Sequence, residues 1–235
     1  MTRHPYLPAV AVVALALAFA SGAANAQNDN NVNICKNNSL LPKERIAACT
    51  AILERGGVSG EMRAFAYGAR GTAYRDLGET DKAEADYEKS ISLYPNNANG
   101  YLLRGNLERE RHEYAQAIKD YSQAIKLNPR YAGGYLGRGN MYSDQGDYDR
   151  AIEDYSDAIR VDPNYAAAYY SRGFAYYKKE DFERAIDDFT GAIRVNPQYA
   201  IAYQARGLAK RQLGDTDGAQ ADIDRAVQLD PRLKE

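Results

Sequence analysis

Tryptophan is absent from these 235 residues, and histidine and cysteine occur only twice each. His112 is the one histidine beyond the N-terminal segment, and two cysteines with one histidine make a poor zinc set. Neither a nucleophile elbow nor a glycine-rich phosphate loop is present, so few parts for catalysis remain. A glycosidase needs only two carboxylates, but nothing in the pattern singles out such a pair. No catalytic residue, metal or cofactor is therefore expected. An excess of one charge is missing too: 30 basic against 32 acidic residues leave a net charge of −2. That balance offers no concentrated basic face, which argues against nucleic acid as a partner. Nor is there an apolar run of about 18 residues, so no membrane span is expected.

The first 26 residues stand apart. Arg3 and His4 give a positive start, Ala9 to Ala20 form a short apolar run, and Ala24-Asn25-Ala26 offers small residues to a signal peptidase. Residues 1–26 are read as a secretory signal peptide cleaved near Ala26. Its alanine-rich style suggests a bacterial source and a periplasmic or secreted product. The residue directly after the cleavage point is Gln27 and not cysteine, which argues against a lipid anchor. In an oxidising compartment Cys35 and Cys49 are expected to form one structural disulfide closing a loop of 15 residues.

What the chain does have is a period. Pro95, Pro129, Pro163, Pro197 and Pro231 follow one another at steps of 34 residues. Tyr67, Tyr101, Tyr135, Tyr169 and Tyr203 keep the same step, each followed three residues later by Arg-Gly, from Arg70-Gly71 to Arg206-Gly207. Ala83, Ala117, Ala151, Ala185 and Ala219 recur likewise, with Tyr87, Tyr121, Tyr155, Phe189 and Ile223 four residues beyond. Each unit reads as two helices with apolar stripes at i, i+4, i+7. Gly78, Gly146 and Gly214 suit the turn between them, His112 and Glu180 take that slot in the other units, and proline ends the second helix. One pair cannot bury its apolar face alone, so neighbouring pairs must stack.

This pattern resembles the tetratricopeptide repeat. Tyrosine stands in place of the usual tryptophan, and Glu108 and Lys210 stand where a second aromatic is expected. The resemblance implies an all-α, right-handed α-solenoid of helix-turn-helix units. The repeats are assigned to residues 64–97, 98–131, 132–165, 166–199 and 200–233. Residues 27–63 are read as a cap, a partial repeat in which Cys49 takes the slot of the later Tyr or Phe. The last repeat is polar at Lys210 and Gln220, which fits a self-solvating end or a weak self-association edge.

Each repeated arginine has an aspartate at the same phase of the next helix: Arg70 with Asp86, Arg104 with Asp120, Arg138 with Asp154, Arg172 with Asp188, and Arg206 with Asp222. These are expected to form partly buried pairs that fix register. In the family, ligands lie in a concave groove lined by the first helices. Carried over by position, the groove presents Asn106, Arg109, Leu136 and Asn140 in its earlier part. Its later part presents Tyr170, Phe174, Tyr177, Ile201, Gln204, Leu208 and Arg211. Tyr170, Phe174 and Tyr177 form a second apolar stripe, either an anchor for a peptide's apolar side chains or rings closed over one another. Asn106 and Asn140 could bond an extended backbone. The slots of a carboxylate clamp hold Leu, Gly, Ala and Ser, so no such clamp is expected.

The expectation is a non-catalytic scaffold that binds a protein or peptide segment in the cell envelope. The alternatives are a glycan-binding module with a tyrosine-rich groove and a self-assembling structural element.

Overall fold

The computed structural model describes residues 29–234; the predicted signal segment, residues 1–26, lies outside that range. The described chain is all-α and forms two compact units, one ending at Pro95 and one beginning at Asn96. The first holds α1 (residues 29–36), α2 (Pro42–Glu54), α3 (Gly60–Asp76) and α4 (Thr80–Leu93). The second holds four helix pairs. These are α5 (Ala98–Glu110) with α6 (Tyr114–Leu127), α7 (Ala132–Asp144) with α8 (Tyr148–Val161), α9 (Ala166–Lys178) with α10 (Phe182–Val195), and α11 (Ala200–Gln212) with α12 (Thr216–Leu229). A 3-10 turn, Pro231–Leu233, follows.

Local chemistry sets the ends of these helices. The second helix of each pair stops two residues before its proline, whose ring disfavours helical geometry in the residue it follows. In the later units Asn128, Asp162, Asn196 and Asp230 bond the backbone N–H two residues on, closing the turn around the proline. Asp147, Asp181 and Asp215 accept from the backbone N–H three residues into the next helix. Between paired helices the backbone turns left-handed at Gly78, Gly146 and Gly214, and also at His112 and Glu180, both at φ 61°. These two side chains sit in a conformation that disfavours anything but glycine. The helix α3 starts at Gly60, four residues before the predicted repeat, because Ser59 caps it by accepting from the Met62 N–H.

Close packing explains the small residues. A Cβ added to Gly71 would lie 2.7 Å from the Tyr87 ring, and one added to Gly173 would lie 2.9 Å from Phe189. Ala83, Ala117, Ala151, Ala185 and Ala219 are wholly buried against the same crossings. In the first unit the cap contributes Cys35, Cys49, Ile52 and Leu53 to a cluster that reaches Ala66 on α3. The two sulfurs lie at bonding distance, 2.03 Å. Arg45 is buried at the slot where later units carry alanine, and it donates to Asp76 at 3.0 Å.

The structure brings each predicted arginine and aspartate together in a two-pronged bond. Arg138 reaches Asp154 at 2.9 and 2.7 Å, and Arg172 reaches Asp188 at 2.8 and 2.7 Å. Arg70–Asp86, Arg104–Asp120 and Arg206–Asp222 repeat the geometry at 2.6 to 2.9 Å. The third prong goes to a hydroxyl on the preceding helix pair: Arg138 to Ser122, Arg172 to Ser156 and Arg206 to Thr190. Arg70 bonds Thr50 on the cap in the same way, which places the neighbouring Cys49 at the slot of Tyr121. One guanidinium thus bolts its own pair shut and holds it to the pair before.

The two residues that replace the second aromatic join this network. Glu108 lies 3.7 Å from Arg104, and Lys210 lies 2.9 Å from Asp222. Lys210 therefore serves an internal carboxylate, whereas sequence suggested a residue that solvates an open end. The contrast appears in the acids. Burial pushes the Asp188 carboxyl up despite Arg172. Burial also works against Asp222, but Arg206 and Lys210 together outweigh it and hold that carboxyl below its ordinary value.

Candidate functional site

In the second unit the first helices carry two different linings. On α5 and α7 the surface is polar and largely committed. The Tyr121 hydroxyl donates to Asn106 Oδ1 and the Tyr155 hydroxyl to Asn140 Oδ1, both at 2.9 Å. Asn106 and Asn140, read from the sequence as able to bond an extended backbone, each accept one hydrogen bond from a buried tyrosine, which occupies one of the two lone pairs on each amide oxygen. Burial pushes the Tyr121 hydroxyl up to about 12, with half-buried Arg109 partly opposing it. Leu136 is partly buried between the cluster around Tyr135 and the cluster around Tyr155, so it serves the core more than an open surface.

On α9 and α11 the lining is apolar and open. Phe174 and Ile201 are each 38% exposed and Leu208 40%. Tyr170, Phe174, Tyr177 and Leu208 surround a cavity of about 110 Å³ whose remaining walls are Phe189, Ala205 and the Gln204 side chain. The rings do not close over one another. Tyr170 braces against Phe189 at 5.7 Å and Tyr199 at 5.4 Å between centroids, and Tyr177 against Phe182 at 5.4 Å. Phe174 is left facing outward with the Lys178 ammonium 5.2 Å from its centroid. Burial raises the Tyr170 phenol above its ordinary value, so it stays protonated and neutral near pH 7. A second, wider cavity of about 590 Å³ shares Gln204 and Leu208 and continues past Arg211 to Ile223, Asp224 and Lys234.

Three of these positions escaped the sequence pattern. Phe189 belongs to a buried stripe and Ala205 is partly buried beside it, and the cavity opens onto them from the side. Tyr199 repeats the step of Tyr131 and Tyr165, a signal present in the sequence. Tyr131 likewise reaches the first-helix surface, donating to Asn99 at 3.1 Å. Among the described residues no cluster of His, Cys, Asp and Glu could hold a metal, and no helix is long and apolar enough to cross a membrane.

Family models described as tetratricopeptide or TPR repeat match residues 64–97, 86–119, 105–145, 139–180, 166–199 and 200–233. Together they cover residues 64–233 without a gap. The chain belongs to the tetratricopeptide-repeat family. Proteins with this fold generally mediate protein–protein interaction, and they are typically non-catalytic scaffolds. A crystal structure of MamA is 26% identical, covers 69% of this tetratricopeptide-repeat chain and 95% of its own, and superposes with a TM-score of 0.63. MamA from Desulfovibrio magneticus RS-1, residue 41 to the end, is 18% identical over 74% of this chain and 98% of its own, at 0.64. YrrB, described as a TPR protein with an unusual peptide-binding site, is 18% identical over 79% and 94%, at 0.61. The last two share the fold alone. No curated protein matches the sequence.

Proposed function

We propose that this protein is a non-catalytic adaptor of the bacterial cell envelope that holds a segment of another protein against α9 and α11. The observation that carries the reading is the open apolar cavity bounded by Tyr170, Phe174, Tyr177 and Leu208, beside an outward-facing phenylalanine. Its lining is built from the family's repeat, yet it differs from the polar lining on α5 and α7, as a site for one partner should. Affinity would come from burying Phe174, Leu208 and Ile201, and orientation from Gln204 and Arg211.

The envelope address rests on residues 1–26, read as a signal peptide removed near Ala26, which would deliver the chain to the periplasm or medium. The buried Cys35 and Cys49 suit that compartment. Their bond would hold α1 on α2, worth about 3 kcal/mol by loop entropy. The test compares the full chain with Tyr170→Ala/Phe174→Ala as bait in envelope extract, with matched helical circular dichroism. The reading expects a protein retained by the first and lost by the second. Equal retention, or retention of polysaccharide with no protein, overturns it.

A further inference from the structure

One hydroxyl separates the polar lining from the apolar one. The buried ring of the second helix is Tyr87, Tyr121 and Tyr155 in the first three repeats, and each hydroxyl meets a polar side chain 15 residues earlier. Those partners are Thr72 at 3.4 Å, then Asn106 and Asn140 at 2.9 Å. Around Tyr155 the nest also includes Ser143 and Ser171, whose side chains partly oppose the rise that burial gives the same hydroxyl. One repeat further on, every member has changed together: Phe189 stands for Tyr155, Phe174 for Asn140, Tyr177 for Ser143 and Ala205 for Ser171. All four replacements line the 110 Å³ cavity. Removing the hydroxyl at position 189 removes the need for partners, and the apolar groups that replace them line a hollow instead.

We propose that Phe189, a core residue behind the groove, makes this site select an aliphatic side chain of leucine or valine size, carried on an acidic segment. The size follows from the cavity. A hollow of about 150 Å³ with apolar walls takes a benzene ring, so 110 Å³ suits a branched aliphatic group instead. The charge follows from the rim. No carboxylate lines the cavity, Lys178 covers its outer ring, and the adjoining hollow sets Arg211 and Lys234 against Asp224 alone. Of the seven lining residues only Tyr170, Tyr177 and Gln204 carry polar groups. The wall of Phe174, Phe189, Ala205 and Leu208 offers a hydroxyl or amide no partner, so a polar side chain seated against that wall is disfavoured by desolvation.

This selectivity rests on α9 and α11 being the partner surface, and its test does not require the partner. The probes are two blocked pentapeptides with a central leucine or its near-isostere asparagine, each flanked by two aspartates on either side. Methyl NMR of the full chain follows the Ala205 and Leu208 signals during titration. Wild type should bind the leucine peptide at least about tenfold more tightly than the asparagine peptide, and Phe189→Tyr should erase that preference. If the new hydroxyl impairs folding, Phe189→Tyr/Phe174→Asn supplies the tyrosine–asparagine pair already used at Tyr121 and Tyr155, and it should lose the preference while staying folded. A leucine preference that survives in either folded variant overturns the role of Phe189 and leaves the groove reading intact. Saturation of wild type by neither peptide, or equally by both, overturns the aliphatic selectivity, and exchange of the aspartates for lysines without loss overturns the acidic partner. The groove reading itself falls only if the capture experiment fails.

Discussion

Asp154 tests whether the arginine ladder fixes the stacking of the repeats. Its carboxylate is buried, takes both prongs of Arg138 at 2.9 and 2.7 Å, and sits under a guanidinium whose third prong reaches Ser122 on the preceding pair. Asp154→Ala leaves that guanidinium without a counter-charge. Deleting one partner of a fully buried pair costs about 3–5 kcal/mol. The Arg138 side chain keeps 22% of its surface in water, which can solvate part of the orphaned charge, so the loss should fall at the lower end, about 3 kcal/mol. For a chain of this size that is about 6–12 °C in melting temperature. Stability in a repeat array is shared between neighbours, so the damage should spread to the pairs on either side. Thermal melts followed by circular dichroism give the shift, and amide hydrogen exchange on α6 and α7 locates it. Arg138→Met/Asp154→Leu should recover most of the loss, since replacing a buried pair by apolar groups is often near neutral. An Asp154→Ala melt within about a degree of wild type would refute the reasoning, because it would mean the pair holds nothing together.

Glu180→Gly should raise stability by up to about 1 kcal/mol, since it relieves a left-handed backbone at φ 61° on an exposed turn; an unchanged or lower chemical-denaturation midpoint contradicts this. Lys210→Gln removes one of the two cations that hold Asp222 below its ordinary value of 3.8. A carboxyl depressed in the folded state adds stability above its unfolded pKa, and loses it as pH falls through its folded pKa. The variant should therefore be less stable than wild type at pH 6–7, with the gap closing below about pH 4. A gap that persists undiminished at pH 2.5 would assign the effect to lost packing of the lysine stem. Gly139→Ala should destabilise by about 1–3 kcal/mol, because its methyl would meet the Tyr155 ring at 2.7 Å; a neutral result in a thermal melt would show that the ring can give way.

The helix pairs were legible because they depend on residues whose physics is local. Proline cannot continue a helix that precedes it, and glycine or alanine at a fixed step announces a close crossing before its partner is known. The same holds for Tyr170, Phe174 and Tyr177, which exceed what one packing face needs. Other features depend on which side chain a neighbour happens to choose. Nothing in the spacing of Asn106 and Asn140 says that their carbonyls accept from Tyr121 and Tyr155, because that depends on which side chain the next helix presents. Phe189 was visible as a core residue and invisible as a wall, because a cavity reaching sideways to a buried ring has no period. The third prong of the arginines falls between these cases. Ser122, Ser156 and Thr190 recur in step, but a surface hydroxyl carries little meaning until the arginine opposite is placed.

Retention of a partner from envelope extract, compared between wild type and Tyr170→Ala/Phe174→Ala, tests the central claim most directly. If α9 and α11 form the holding surface, one protein should co-purify with wild type and vanish with the double variant, while both baits keep the same helical signal. The same protein held equally by both baits would contradict the account, as its grip would then lie elsewhere on the molecule.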